Sequence, residues 1–145
     1  MNLLQSLVVI LTGSISISLF SMHHEKIVNF SDCKGEVGNF YVSRILEGGT
    51  IEGFQKAVNL HQKFYSSRGF NVQVIPSVQY QREDGEVIEK PYMFSTLVLF
   101  PNLKIREEWR EREFTEQDQE EFNAFIKLYD ENNEIVETKA ICNLN

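Results

Sequence analysis

Residues 93–100 constrain the fold more than any other part of the chain, because this stretch is apolar or small on both faces of a strand. Successive side chains of a strand point to opposite sides. One side would carry Met93, Ser95, Leu97 and Leu99, and the other Phe94, Thr96, Val98 and Phe100. Such a strand needs cover on both faces, which is typical of the centre of a buried sheet.

The residues around this strand predict three further strands and two helices. Strands are expected at 40–46, 70–81 and 135–142, with the strand returning from a hairpin ending at Phe100, and helices at 51–68 and 115–129. Residues 104–113 read as a charge-dense loop, and residues 130–133 as a turn.

Local signals mark where these elements begin and turn. Thr50 can cap the first helix, and Thr115 with Asp118 three residues later has the spacing of a capping box. Asp84-Gly85 is a hairpin signal between two strand-forming runs.

The predicted order is β-α-β-β-α-β, that of the ferredoxin-like α+β sandwich. This order places the first and third strands at the centre of the sheet and the second and fourth at its edges. Helices of one copy cover only one face of such a sheet. A second copy packed sheet against sheet would cover the other, so we expect a homodimer. The alternative cover is the N-terminal segment or the 101–113 loop.

This element order, with the Glu47-Gly48-Gly49-Thr50 entry to a helix bearing His61, resembles the dimeric α+β barrel superfamily over roughly residues 40–143. That ferredoxin-like group includes the antibiotic-biosynthesis-monooxygenase-like proteins. The resemblance implies a small-molecule pocket between helices and sheet, with cofactor-independent monooxygenase-like or isomerase-like chemistry. Haem-degrading members carry their haem-ligating histidine on the second helix. Residues 115–129 contain no histidine, which argues against haem chemistry. The chemistry that the resemblance implies needs no tightly bound cofactor, and none is expected.

His61 is the candidate catalytic residue. It falls on the apolar stripe of the first helix, one turn from Val58 and from Tyr65, and should therefore point toward the sheet. There it would act as a general base or position the substrate. The alternative is a partly buried histidine satisfied by one carbonyl and one hydroxyl.

Tyr41, Tyr65 and Arg44 are the candidate ligand-binding residues. Arg44 lies in the middle of a strand that should be central and covered, and a buried guanidinium needs an anionic partner. That partner is either an anionic group of a ligand or an acidic side chain such as Glu137 on the last strand.

The charge balance limits the partners. The formal net charge is −7, and there is no sizeable basic run, which argues against nucleic acid. No spacing typical of a metal site is present, so no metal is expected.

The first residues predict a targeting segment. Residues 2–22 carry no charged side chain, so the chain divides into a signal peptide or anchor (1–21), a polar lead-in (22–39) and a ferredoxin-like domain (40–145). A cleaved leader implies a secreted or periplasmic/luminal protein, and a retained one implies a membrane anchor. If Met22 is the true start, the protein is cytoplasmic.

Cys33 and Cys142 are the two cysteines. In the predicted fold the last strand ends near the chain that enters the first strand. If the leader exports the chain, we expect these residues to form a disulfide.

Two function classes follow from these observations. The first is a small-molecule binding protein or enzyme with a pocket around His61. The second is a non-enzymatic exported domain that makes protein–protein contacts through its acidic surface and Trp109, which lies among charged residues. Alternatively, Trp109 pins its segment onto the core.

Overall fold

The structure, a computed structural model, describes residues 29–144. The strands are β1 (Val37–Ile45), β2 (Gln73–Glu83), β3 (Glu86–Phe100) and β4 (Asn133–Cys142), and the helices are α1 (Ile51–Ser66), α2 (Leu103–Glu111) and α3 (Glu116–Asn132), after a 3-10 turn at Phe30–Asp32. The predicted leader and the first part of the lead-in lie outside the described residues.

The four strands form one antiparallel sheet in the order β2-β3-β1-β4. β1 and β3 are therefore the central strands, and each pairs with a neighbour on both sides. This arrangement confirms the ferredoxin-like α+β fold and its predicted strand order.

The predicted caps and hairpin are present. The hydroxyl of Thr50 accepts a hydrogen bond at the start of α1, and Thr115 and Asp118 form the capping box of α3. The hairpin turns at Asp84 and Gly85, whose φ angles of 49° and 88° are those of a two-residue turn matched to the twist of the strands.

α1 and α3 pack on the face of β3 that carries Phe94 and Val98. Phe54 of α1 stacks on Phe94, with ring centroids 4.3 Å apart and ring planes at 7°. Phe125 of α3 is also fully buried. Burial of these rings fixes the helical layer on the two central strands.

The opposite face of the sheet also carries apolar side chains. Leu97 of β3 lies between Phe40 of β1 and Ile75 of β2 in the register of the sheet. Leu97 and Phe40 are half-buried, and Ile75 is 39% exposed. A single copy thus leaves an apolar strip, defined by these three residues, in contact with water.

The prediction of a loop at 104–113 is wrong for most of its length, since α2 occupies Leu103–Glu111. The side chain of Asn102 accepts a hydrogen bond from the backbone N–H of Ile105 at 3.0 Å and starts the helix. Trp109 then anchors it, with its ring centroid 4.6 Å from that of Tyr65 and 5.0 Å from that of Phe70. The segment is a short amphipathic helix, and its many charged side chains are the reason that a loop was predicted.

The turn predicted at 130–133 is also wrong. α3 continues to Asn132, and β4 begins at the next residue. The Asn132 side chain donates to the carbonyl of Leu128 at 2.8 Å and accepts from the backbone N–H of Thr50 at 3.0 Å. Its backbone carbonyl accepts from the N–H of Leu46 at 3.0 Å. Asn132 therefore joins the end of α3, the end of β1 and the start of α1.

A disulfide joins Cys33 to Cys142, with Cα atoms 5.9 Å apart. β1 begins at Val37, a few residues earlier than predicted, and Val37 lies opposite Cys142 on β4. The bond ties the end of the lead-in to the last strand.

No helix within residues 29–144 has the length and apolar character needed to cross a bilayer.

The junction at Asn132 generates a prediction about stability. Replacing Asn132 with Ala removes three side-chain hydrogen bonds, one to the carbonyl of Leu128 and two from the N–H and hydroxyl of Thr50, which should cost about 1–3 kcal/mol. Thermal and urea unfolding will measure this loss. Asn123→Ala, at an exposed position of the same helix, is the control and should leave the free energy of unfolding nearly unchanged. Equal stability of the two variants would contradict the role of the junction.

Candidate functional site

A cavity of about 640 Å³ lies between the helical layer and the sheet. α1 and α3 form its upper wall, and β1, β3 and the start of β4 form its floor. Its lining is Tyr41, Ser43, Leu46, His61, Tyr65, Thr96, Val98, Phe122, Phe125, Ile126, Tyr129, Asp130, Asn133, Glu134 and Ile135. This volume is within the range that accommodates a small organic molecule.

An aromatic cluster forms the wall of the cavity around His61. The imidazole stacks on Phe125 of α3, with centroids 4.3 Å apart and planes at 10°. Tyr129, one turn further along α3, meets the imidazole edge-on at 5.9 Å, and Tyr65 lies one turn along α1 at 5.3 Å. The four-residue spacing on both helices brings these rings to one place.

Hydroxyl groups line the same wall and the floor below it. The Nδ1 atom of His61 is 3.3 Å from the hydroxyl of Tyr129. Burial raises the pKa of Tyr129, of Tyr65 and, to a lesser extent, of Tyr41. These phenols therefore stay neutral and can donate hydrogen bonds into the cavity.

The imidazole of His61 is also neutral at physiological pH. Burial lowers its pKa to about 4, because the charged form is poorly solvated among the aromatic rings. A group with this pKa is a weak general base near pH 7. Its geometry suits a positioning residue that makes hydrogen bonds and stacks on a ligand.

Three of the residues predicted from the sequence come together in the cavity. His61, Tyr65 and Tyr41 all line it, from α1 and β1. His61 has both a ring partner and a hydroxyl partner, which is close to the alternative of a partly buried, satisfied histidine. His61 nevertheless lines the cavity, whereas the alternative placed it in a packed core.

Arg44 is placed differently from its prediction. Its side chain is 62% exposed, and its guanidinium pairs with Glu134 at 3.0 Å. The expectation that it is buried is wrong, and Glu134 takes the place foreseen for Glu137. The cause is the register, since β4 bulges opposite Val42 and Ser43 and brings Glu134 beside Arg44.

The sequence did not single out Asn133, Ser43 or Thr96 as site residues. Asn133 is 5% exposed, and its Oδ1 atom has no hydrogen-bond partner within residues 29–144. These residues meet through the register of three strands that are distant in the sequence. No local spacing signals that meeting.

A network of two arginines and two acidic residues lies outside the lining of the cavity. Arg68 and Arg112 both bond to Asp118, at 2.6 Å and 2.8 Å, and Arg68 also pairs with Glu121 at 2.9 Å. The backbone N–H of Thr115, together with the two guanidiniums, holds the pKa of the Asp118 carboxyl well below its usual range. This network fixes the start of α3.

Two further groups of residues bear on function. Trp109 is half-buried and packs against Phe64, Tyr65 and Phe70, which agrees with the alternative that it pins its segment onto the core. Among residues 29–144, no group of three or more His, Cys, Asp or Glu side chains is arranged to hold a metal ion.

Comparison with known proteins gives similarities to solved structures and none to known sequences or families. No protein-family model matches the sequence, and no curated protein sequence matches it significantly. The chain is similar to the cofactor-independent oxygenase SnoaB from Streptomyces nogalater, at 10% identity and a TM-score of 0.46 over 77% of this chain and 95% of that chain.

Two further solved structures are dimeric ferredoxin-like proteins of unknown function. One, from Bacteroides fragilis, is 12% identical, with a TM-score of 0.37 over 75% of this chain and 95% of that chain. The other, from Thermobifida fusca, is 12% identical, with a TM-score of 0.42 over 82% of this chain and 96% of that chain. The likeness concerns the fold alone.

The environment of His61 predicts an acid-sensitive contribution to stability. The folded-state pKa of about 4 lies below the unfolded value of 6.5. The unfolded chain therefore binds a proton that the folded chain excludes as the pH falls from 6.5 to 4. Stability from this group is fully present above pH 6.5 and is lost toward pH 4, with a limit of about 3 kcal/mol.

NMR titration of the His61 ring should give a midpoint near pH 4, and urea unfolding of His61→Phe should show a shallower loss of stability below pH 6.5. A midpoint near the ordinary histidine value would contradict the burial of this group. Gln55→Ala, at an exposed position of α1, serves as the control.

Proposed function

We propose that this protein binds a flat, largely apolar small molecule in the cavity between its helices and its sheet. The observation that carries the proposal is the cavity itself, of about 640 Å³, with stacked rings on one wall and neutral hydroxyl groups beside them. A void of this kind gives up the packing contacts that an ordinary core would make. A ligand restores them.

Two kinds of side chain line the cavity, and each kind would contact a different part of a ligand. Phe125, Phe122 and Ile126 offer apolar surface for a ring system, and His61 extends that surface as a neutral, stacked imidazole. Tyr129, Tyr65 and Thr96 offer hydroxyls that orient a polar substituent. The proposed ligand is therefore an organic molecule with a ring body and few polar groups.

We extend this proposal to chemistry of the cofactor-independent monooxygenase-like or isomerase-like kind. His61 would position the reacting molecule through its contact with the Tyr129 hydroxyl. Its lowered pKa argues against a strong general base at neutral pH, so the contribution of His61 to a reaction is orientation.

The apolar strip on the open face of the sheet supports a homodimer as part of the proposal. Phe40, Leu97 and Ile75 form a continuous surface across three strands. Packing this surface against its symmetry mate would remove it from water and give the second face of β3 its cover.

The cysteine pair supports export as the setting of this function. A disulfide such as that between Cys33 and Cys142 persists in oxidising compartments. Together with the uncharged stretch at 2–22, it favours a secreted or periplasmic/luminal protein.

Native mass spectrometry of the full chain, produced with its own leader, tests the binding proposal. We expect the wild-type protein to carry extra non-covalent mass or to bind members of an aromatic fragment library. His61→Ala removes the stacked wall and should weaken that binding about tenfold or more. Gln55→Ala should bind as the wild type does. If neither retained mass nor fragment binding is found in the wild type, the proposal fails.

The dimer is tested by a charge on the apolar strip. Ile75→Glu should be tolerated in a single copy because Ile75 is 39% exposed, but it would bury a carboxylate in the sheet-to-sheet interface and dissociate it. Light scattering after gel filtration should then report a monomer. Ile51→Glu, at a position that is 46% exposed in the helical layer, is the control and should remain dimeric. A monomeric wild-type protein would contradict the proposal.

A further inference from the structure

We propose that Tyr129 holds the imidazole of His61 in the tautomer that carries its proton on Nε2, so that His61 and Tyr65 together present two hydrogen-bond donors to the cavity. The ligand that these donors fit is a ring compound with a carbonyl oxygen as its acceptor. The inference rests on the proposed function, which requires that the cavity bind a small molecule. It adds the chemistry of the polar group of that molecule.

The contact between His61 and Tyr129 occupies one ring nitrogen and leaves the other free. Nδ1 of His61 is 3.3 Å from the hydroxyl of Tyr129. Nε2 has no hydrogen-bond partner among residues 29–144. Whether Nε2 is a donor or an acceptor therefore depends on which way the proton of the Tyr129 contact points.

The surroundings of Tyr129 favour donation from its hydroxyl to Nδ1. The Thr96 side chain hydrogen-bonds to the Tyr129 hydroxyl and acts to lower the pKa of the phenol, against the larger effect of burial. A group that lowers a phenol pKa in this way is a donor to the phenol oxygen. With its oxygen accepting from Thr96, Tyr129 directs its own proton to Nδ1 of His61. A neutral imidazole that accepts at Nδ1 carries its proton on Nε2.

Tyr65 supplies the second donor from the same helix. It is only 7% exposed, it lines the cavity, and it lies one turn from His61 on α1. Its hydroxyl has no hydrogen-bond partner in the part of the chain that the structure describes. Because residues four apart share one face of a helix, both side chains leave α1 toward the cavity.

Both donors are open to a ligand, whereas the unpaired Oδ1 atom of Asn133 is not. Oδ1 of Asn133 is closed off by the atoms around it, but Nε2 of His61 and the hydroxyl oxygen of Tyr65 keep accessible surface. Water in the cavity can pair with these two donors. A ligand that displaces this water must offer an acceptor in its place or leave the donors unpaired at a cost in free energy.

The lining provides these donors without any positive charge. It contains no Lys or Arg, and its acidic residues are Asp130 and Glu134. A carboxylate ligand could accept from the same donors, but it would enter without a compensating cation. A carbonyl oxygen is neutral and has two lone pairs, so it can accept from His61 and Tyr65 together. We therefore expect a ring ketone or a related carbonyl compound.

NMR spectroscopy of the full chain, labelled with nitrogen-15, tests the tautomer at pH 7. Long-range correlations from the ring C–H protons identify the protonated nitrogen, and the signals of His61 are assigned by their loss in His61→Phe. We expect a protonated Nε2 in the wild-type protein and a mixture of both tautomers in Tyr129→Phe. A wild-type imidazole protonated on Nδ1 would overturn the inference.

Equilibrium dialysis of the full chain with four naphthalene probes tests the ligand class. 2-Acetylnaphthalene carries a carbonyl acceptor, and 2-isopropenylnaphthalene has the same shape without it. 2-Naphthylmethylamine offers only donors at pH 7, and 2-naphthoate is an anionic acceptor. We expect the ketone to bind about tenfold more tightly than the alkene, and the amine and the carboxylate to bind more weakly than the ketone.

Conservative variants assign this preference to its residues. His61→Phe keeps a ring beside Phe125 and removes Nε2–H, and Tyr65→Phe removes only the hydroxyl. Each should lower the ratio of ketone to alkene affinity about threefold, and the double variant should bring that ratio close to one. Retained binding of the alkene shows that the cavity of each variant is intact. Tyr80→Phe, at a position of β2 that is 45% exposed, is the matched control and should keep the wild-type ratio.

The outcomes separate this inference from the proposed function. If the ketone and the alkene bind equally well, or if the double variant keeps the wild-type ratio, the cavity binds ligands but these donors do not select them, and the inference is overturned. Tightest binding of the amine would overturn it in favour of an acceptor at Nε2, and tightest binding of 2-naphthoate in favour of an anion site. If no probe binds and the native protein carries no ligand, the proposed function falls as well.

Discussion

The stacking of Phe54 on Phe94 is the contact from which the rest of the structure is organised. It joins the first helix to a central strand and sets the distance between the helical layer and the sheet. Phe54 also lies beside Tyr129 of the cavity lining, with ring centroids 5.9 Å apart, so this contact sets the separation of helix and sheet next to the cavity. The cavity lies between β1, β3 and the C-terminal half of α3.

Three separate sets of interactions hold the walls of the cavity apart. The Asp118 network holds the start of α3 against α1 through Arg68, and Asn132 holds its end. The bond between Cys33 and Cys142 closes the edge of the sheet at β4. A void lined by rings would otherwise tend to collapse, since every apolar contact across it is favourable. Rigid ends on both sides of α3 oppose that collapse and leave a preformed site.

The sequence predicted the features that depend on local interactions, and it missed those that depend on contacts between residues distant in the chain. Thr50, the Asp84-Gly85 turn and the capping box at Thr115 are local signals, and all were predicted. The apolar pattern of residues 93–100 correctly placed β3 at the centre. His61 was found because helical spacing is also local. Asn133 could not be identified as a lining residue, because its place in the cavity depends on the packing of a helix end against strands that are distant in the sequence.

Charged residues were the least reliable guide to the structure. They led to one wrong prediction of a buried side chain and to one wrong prediction of a solvated loop. Arg44 looked buried because its strand is central, yet a long side chain near the end of a strand reaches water while its backbone stays covered. The segment around Trp109 looked like a solvated loop because of its charges, yet one tryptophan and one capping asparagine fold it into α2. The exposure of a charged side chain depends on the register and the length of the neighbouring strands and helices. The lining of the cavity shows the same limit: it contains no Lys or Arg and consists largely of aromatic rings and neutral polar groups, which the distribution of charges along the sequence does not reveal.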